Sequence, residues 1–210
     1  MNKSLANEIL DLLEITFPNA KPELEFSTNY ELLIAVMLSA QCTDKRVNIV
    51  TRELFKVYNT PEKMLTLTQE ELALKIKSCG LFNSKAKHIL SASYDIITRF
   101  NGQVPSSFSD LKSLAGVGQK TANVVYSVAF GGQAIAVDTH VFRVSKRIGF
   151  SNGKTPLQVE EDLKKYLQKS RWGKAHHLLI FLGRKICSSR KPNCMACPIR
   201  EKCKKKDVCR

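Results

Sequence analysis

The sequence contains no long hydrophobic run: none of its 210 residues belongs to an apolar stretch of about 18, the length that crosses a bilayer. The N-terminal segment lacks the charged head, apolar run and small-residue cleavage site of a signal peptide. Acidic residues are few, 19 against 33 lysines and arginines, which leaves a formal net charge of +14. That excess indicates a polyanionic partner, most often nucleic acid, with a merely basic surface as the alternative.

Alternation of apolar and polar residues with a period of two, which is typical of strands, is also missing. Signals of helices recur instead along the whole chain. Residues 30–40 are apolar nearly all round, so we expect that helix to be central. Thr68 and Glu71 form a capping-box pattern for a helix that Gly80 is expected to close. With short connections between such segments, the sequence predicts an all-α protein.

Four of the seven cysteines are crowded near the C-terminus in the pattern C-x6-C-x2-C-x5-C: Cys187, Cys194, Cys197 and Cys203. Thiolates this close in sequence can converge on one small inorganic centre, either an iron–sulfur cluster or tetrahedral zinc. The spacing departs from the two C-x2-C pairs of many zinc sites. We expect Cys42 and Cys79 to be buried small hydrophobes and Cys209 to be an incidental free thiol. A reducing cytosolic compartment fits this usage.

Residues 111–123 read LKSLAGVGQKTAN, with Gly116, Val117 and Gly118 between two short helical patterns. The first N–H groups of the second helix, with the positive end of its dipole, suit a DNA phosphate. A turn without a ligand is the alternative. Lys120 lies in the first turn of that helix, where the dipole and partial burial would favour the nucleophilic free amine. A surface lysine that touches phosphate is the alternative.

Asp138 follows an apolar run and precedes a helical pattern, so its position is that of a helix N-cap. Together these motifs resemble the helix–hairpin–helix DNA glycosylases of base excision repair, and specifically the endonuclease III family. The hairpin has the form L-x-G-V-G-x-K-T-A, with Ala115 where the family usually has proline. The match to the family extends over almost the whole chain, and its motifs occur in the same order as in the family. They are residues 32–44, 80–85 and 137–140, Arg143 and the cysteine cluster.

The resemblance implies a bifunctional DNA glycosylase and abasic-site lyase that excises oxidised pyrimidines, such as thymine glycol, from duplex DNA. It implies that Lys120 attacks the sugar C1′ and forms a Schiff base, after which β-elimination cleaves the strand on the 3′ side. It also implies that Asp138 is a catalytic carboxylate. The alternatives are a monofunctional glycosylase, which would lack the lysine, a silent DNA-binding module, and an electron-transfer protein.

Residues that contact DNA are implied in the same way. Gln41 and Leu81 would fill the space that a flipped nucleotide leaves, although each could be an ordinary turn residue. Asn83, Ser84 and Lys85 begin a helix and would hold a phosphate at its N-terminus. Further contacts are expected from the hairpin and from the second half of the chain: Gly116, Val117, Gly118, Thr121, His140, Arg143 and Lys191.

The architecture that the resemblance implies has two helical lobes with DNA in the cleft between them. A six-helix barrel over residues 22–132 would carry the helix–hairpin–helix, at about 108–130. The second lobe would join residues 1–21 to 133–210 and end in the cluster loop, 187–203. A [4Fe–4S] cluster on the four cysteines is implied, as is a monomer whose partner is double-stranded DNA with damaged pyrimidines or abasic sites. We expect a cytoplasmic, nucleoid-associated protein with no membrane partner.

Overall fold

The computed structural model describes residues 1–205 and residue 208, so the expectation for Cys209 lies outside it. The described residues form α-helices and 3₁₀ turns, and no strand is found among them. The α-helices are α1 Lys3–Thr16, α2 Asn29–Leu38, α3 Asp44–Leu54, α4 Pro61–Met64, α5 Gln69–Lys75, α6 Phe82–Phe100, α7 Phe108–Ser113, α8 Gln119–Phe130, α9 Thr139–Ile148, α10 Pro156–Tyr166 and α11 Trp172–Lys185. The 3₁₀ turns are Lys77–Cys79 and Lys169–Arg171. The predicted all-α class is confirmed. None of the described helices is long and apolar enough to cross a membrane.

Threonine side chains cap the N-termini of five helices, each accepting the N–H of the residue three positions later: Thr28, Thr43, Thr60, Thr68 and Thr155. Each cap satisfies one backbone donor that the helix itself leaves unpaired. Thr68 and Glu71 complete the predicted capping box at the start of α5. That helix ends at Lys75, and the 3₁₀ turn Lys77–Cys79 separates it from Gly80. The prediction that Gly80 closes the helix was therefore wrong, because Gly80 ends the 3₁₀ turn that follows the helix.

One compact unit comprises residues 22–132. Its centre is α2, in which every side chain from Tyr30 to Leu38 is buried, and which packs against α3, α6 and α8. The central helix expected over residues 30–40 is this one. Cys79 is buried in the core as expected, whereas Cys42 is only half-buried. The core thus holds the ends of several helices in place while their connecting turns reach solvent.

The other unit comprises residues 1–21 and 133–210, as far as they are described. Its core is formed where α9 packs against α10 and α11, and α1 covers the latter two helices. Arg171 fastens α1 to this core, because its guanidinium forms ion pairs with Asp11 and Glu14 and donates to the Asn7 carbonyl. The N-terminal helix therefore belongs to the same unit as the C-terminal helices and the cysteine loop.

Candidate functional site

The hairpin turn between α7 and α8 requires glycine at one position and leaves room at the other. Gly116 has a φ of +74°, and a Cβ built there would lie 2.7 Å from the His88 Cβ. Gly118 has an ordinary φ of −84°, and a Cβ there would meet nothing within 4 Å. The protein itself therefore does not demand glycine at 118, and the space in front of the first turn of α8 is open. Val117 between them is buried and anchors the turn in the core.

Lys120 is exposed in the first turn of α8, beside the half-buried Thr121. The partial burial that we predicted for Lys120 was wrong, because the turn carries its side chain outward. No side chain caps the N-terminus of α8, and no acidic residue lies in its first turn. The start of α8 therefore combines the exposed Lys120 with the positive end of the helix dipole, and its first turn has no carboxylate.

Two exposed turns of the same unit carry strained residues. Four non-glycine residues in the described structure have positive φ, and Gln41 (55°) and Leu81 (47°) are two of them. Left-handed backbone costs an L-residue about 1–2 kcal/mol, and such strain concentrates at functional sites. Gln41 lies between α2 and α3, while Leu81 precedes α6 and is 56% exposed. Both side chains are exposed to solvent, as a side chain that inserts into the DNA base stack must be.

The start of α6 agrees only in part with the predicted phosphate site. Asn83 and Ser84 are exposed in its first turn, which no side chain caps. Lys85 is 6% exposed, and its ammonium donates to the carbonyls of Leu38 and Cys79. Its backbone N–H bonds to the Leu81 carbonyl. The prediction of Lys85 as a phosphate ligand was therefore wrong: helical rotation turns it into the core.

Asp138 is the N-cap of α9, and its Oδ1 accepts the N–H of Val141 at 2.7 Å. The cap that its position predicted is confirmed. The segment before it, 134–137, is buried. Within this segment the Ala136 carbonyl accepts a hydrogen bond from Nδ1 of the buried His176 at 2.8 Å. Hydrogen bonds thus restrain the backbone both before Asp138, at Ala136, and after it, at Val141.

Acidification should destabilise this unit through His177. Burial, with a smaller effect of the adjacent His176, lowers the pKa of His177 to about 3. The unfolded chain, with an ordinary histidine pKa near 6.5, takes up the proton first, so stability falls as pH drops from about 6.5 towards 3. We expect His177→Gln to remove up to about 2 kcal/mol of the loss between pH 7.5 and 5, measured by urea unfolding. Equal losses in variant and wild type would contradict this assignment.

His140 and Arg143 lie on one face of α9 and point at the protein rather than away from it. Burial, opposed by the Asp138 carboxylate, lowers the pKa of His140. Its Nδ1 lies 3.2 Å from Nη2 of Arg143. Nε and Nη2 of Arg143 donate to the carbonyls of Gly183 and Cys187. A contact of Arg143 with DNA stays a prediction and would have to use Nη1.

Arg147, one helical turn further along α9, is a functional candidate that sequence reasoning missed. It is 7% exposed, and its Nη1 lies 3.4 Å from the Sγ of Cys187. Its guanidinium also donates to the carbonyls of Ser188 and Ser189, at 2.7 and 2.8 Å. The available signal was its i+4 spacing from Arg143 on the same helix face. Its partners, about 40 residues away in sequence, become visible only in the structure.

The four clustered cysteines line one cavity together with apolar side chains such as Ile148 and Leu182. Burial raises the pKa values of the Cys197 and Cys203 thiols, and the neighbouring cysteines add to that rise. The backbone N–H of Lys205 points at the Cys203 sulfur at 3.4 Å. Lys191 is exposed in the loop between the first two cysteines. The four thiols thus share one site, and the exposed Lys191 lies in the loop that connects the first two of them.

Comparison with known proteins agrees with this arrangement. Residues 34–169, more than half of the chain, match the model of the HhH-GPD superfamily base excision DNA repair protein family. The chain therefore belongs to the HhH-GPD superfamily of base excision DNA repair proteins. The protein called Endonuclease III in Bacillus subtilis (strain 168) is 50% identical over 196 residues, 93% of this chain and 90% of the relative. Its namesake in Escherichia coli (strain K12) is 47% identical over 207 residues, 99% and 98% of the two chains.

A solved structure shows the same similarity. The structure of a trapped Endonuclease III–DNA covalent intermediate is 46% identical and superposes with a TM-score of 0.93, covering 98% of this chain and 97% of that chain. The predicted family and enzyme class, a base-excision glycosylase and lyase, are confirmed. The individual site residues stay predictions.

Proposed function

We propose that the chain removes oxidised pyrimidines from duplex DNA as a bifunctional glycosylase and then cleaves the strand as an abasic-site lyase. The observation that carries this proposal is Lys120, an exposed amine in the first turn of α8 beside the open space at Gly118. A lysine can form an imine with the sugar, which a glycosylase that uses only water cannot do. We also propose that it works as a monomer. Because its substrate is chromosomal DNA, we propose that it works in the cytoplasm, at the nucleoid.

The hairpin binds the DNA backbone in this proposal. Backbone N–H groups at the start of α8, with the helix dipole, hold a phosphate that approaches over Gly118. Such contacts position the protein without reading the base sequence. The net charge of +14 adds a general attraction that weakens with salt. The exposed side of the turn therefore aligns the duplex before any base is examined.

In this proposal the two strained turns, which carry Gln41 and Leu81, open the duplex. An enzyme that acts on a base must take it out of the stack, at a cost of a few kcal/mol. Gln41 offers an amide that can pair with the orphaned partner base, and Leu81 offers an apolar wedge. Asn83 and Ser84 hold the adjacent phosphate at the uncapped start of α6.

The chemistry belongs to Lys120 and Asp138. The free amine of Lys120 attacks C1′, a C–N bond to the lysine forms, and the bond to the damaged base breaks. Opening of the sugar ring gives the imine, which makes the C2′ proton acidic. Loss of that proton expels the 3′ phosphate. The Asp138 carboxylate takes up the lysine proton and stabilises positive charge on the sugar, while its Oδ1 continues to cap α9.

We also propose that the four cysteines hold a [4Fe–4S] cluster. In the part of the chain that the structure describes, no three His, Cys, Asp or Glu side chains are close enough to hold a single metal ion. The four thiols nevertheless line one cavity, and four cysteine thiolates are the usual ligand set of a [4Fe–4S] cluster, with tetrahedral zinc as the alternative. Arg147 donates to the Cys187 sulfur and the Lys205 N–H donates to the Cys203 sulfur, and such hydrogen bonds orient the ligands of a metal centre. When bound, the cluster would fix the loop that carries Lys191.

The cofactor proposal predicts a brown protein. Anaerobically purified chain should absorb broadly in the visible range and contain about four irons per molecule. Cys194→Ser should lose the colour, whereas Cys42→Ser, outside the cluster, should keep it. Iron analysis and absorption spectra of the three proteins measure this. A colourless wild-type protein with one zinc per chain would overturn the proposal.

The activity is tested by trapping. Wild-type protein is incubated with a duplex that contains one thymine glycol, and borohydride is added to reduce any imine to a stable amine. A covalent protein–DNA adduct supports excision through a lysine. Base loss that only later alkali reveals would indicate a monofunctional glycosylase, and neither product would favour a DNA-binding module.

A further inference from the structure

Lys85 is a buried amine that forms no ion pair with a carboxylate in the part of the chain that the structure describes. Only 6% of the residue is exposed. In the described structure the titratable side chains that influence its pKa are the thiols of Cys79 and Cys42, and no carboxylate is among them. Its burial lowers the pKa of the amine. A buried ammonium is costly unless hydrogen bonds compensate it, so the groups that it binds explain why this position is a lysine.

Those groups are the last carbonyls of two helical segments. Leu38 ends α2 and Cys79 ends the 3₁₀ turn, and both carbonyl oxygens lie 2.8 Å from the Lys85 nitrogen. Carbonyls at the end of a helix lack partners within the helix, and a cation there also suits the negative end of the dipole. The amine of Lys85 thus joins the C-terminal ends of two helical segments that are far apart in sequence.

The two strained residues follow these carbonyls within three positions of the chain. Gln41 lies three residues after Leu38, and Leu81 lies two residues after Cys79. Both have the left-handed backbone that L-residues avoid. Strain of this kind persists only where the surroundings impose it. The bonds from Lys85 restrain the start of both turns at once, beside a side-chain hydrogen bond between Cys42 and Cys79.

We propose that Lys85 is a positioning residue for duplex opening: it holds the turns of Gln41 and Leu81 in a fixed relation, so that both side chains enter the DNA together. This role rests on the proposed function and concerns the opening step alone. Lys85 touches neither the sugar nor the base. Its loss should therefore impair substrates that must be opened and spare those that are already open.

The test compares Lys85→Met with Lys87→Met on two substrates. Lys87 is exposed on the same helix, so its replacement removes the same charge without touching the two turns. One duplex has thymine glycol paired with adenine, and the other has it unpaired in a bulge. We expect Lys85→Met to slow single-turnover base release about tenfold or more on the paired duplex, and less than about twofold on the bulge. Lys87→Met should match wild type on both once protein is saturating.

Equal losses of Lys85→Met on both substrates, or no loss on either, would overturn the proposal. A 2-aminopurine next to the lesion reports the opening itself, and its fluorescence rise should be smaller with Lys85→Met. Inactivity of wild type and Lys87→Met as well would instead overturn the proposed function.

If Lys85→Met fails to fold, a second experiment tests the proposal. In the wild-type background, Gln41→Ala, Leu81→Ala and the double variant are compared on the paired duplex. Turns that act as one unit predict that the double variant loses little more than the worse single variant. Losses that multiply would show independent turns and overturn the role of Lys85.

Discussion

Replacement of Lys120 by glutamine should abolish borohydride trapping and strand cleavage while DNA binding persists. The amide cannot form an imine, so both the covalent step and the elimination that depends on it are lost. We expect the rate of strand cleavage to fall by about a thousandfold or more, as for other residues that carry the covalent step. Lys120 is exposed, and substitutions at exposed positions usually change stability little, so the melting temperature should hardly change. Gel-based cleavage and trapping assays measure the loss, and fluorescence anisotropy measures binding.

Lys112→Gln supplies the matched control for Lys120. Lys112 is exposed in the last turn of α7, on the other side of the hairpin turn. Its replacement removes the same charge near the DNA but no nucleophile, so trapping should continue. An adduct formed by Lys120→Gln would show that another amine attacks the sugar. The assignment of the nucleophile would then be wrong even though the family stands.

Replacement of Asp138 by asparagine should slow base release by about a hundredfold or more, because a carboxylate that stabilises developing positive charge is lost. The fold should remain, since asparagine caps a helix about as well as aspartate. The amide oxygen can accept the Val141 N–H as Oδ1 does now. Single-turnover excision of thymine glycol measures the rate, and thermal unfolding followed by circular dichroism measures stability.

Asp138→Ala separates the two roles of this residue. It removes both the charge and the cap, so it should lose the same activity as the asparagine variant and about 1 kcal/mol of stability in addition. A large fall in melting temperature for Asp138→Asn would mean that the negative charge of Asp138, beyond its cap oxygen, stabilises the fold. Unchanged base release in a stable Asp138→Asn protein would remove Asp138 from the catalytic machinery.

The hairpin shows how far local sequence reaches. Gly116, Gly118 and Lys120 could be placed on a turn and a helix start because helix ends are decided by residues a few positions apart. The same reason holds for the threonine caps and for Asp138, whose cap partner is three residues away. The cysteine spacing likewise placed four thiols at one site. These features depend on contacts short in sequence, and the motif identifies them directly.

Burial decided what the motifs could not. Asn83, Ser84 and Lys85 are consecutive and belong to one matching segment, yet only the first two face solvent, because helical rotation turns Lys85 into the core. Lys120 was expected to be partly buried and is exposed. Whether a polar side chain meets solvent or core depends on which neighbours pack above it, and those come from distant parts of the chain.

The sequence by itself thus determined the helices, their caps, the hairpin and the family, because each depends on short-range patterns. Only the tertiary structure decided that His88 packs against Gly116, that Arg147 reaches Cys187, and that Lys85 joins Leu38 to Cys79. Each of these contacts joins residues that no periodicity relates. They form because burial of the cores brings the elements together, and a buried polar group must then find its partner wherever the fold supplies one.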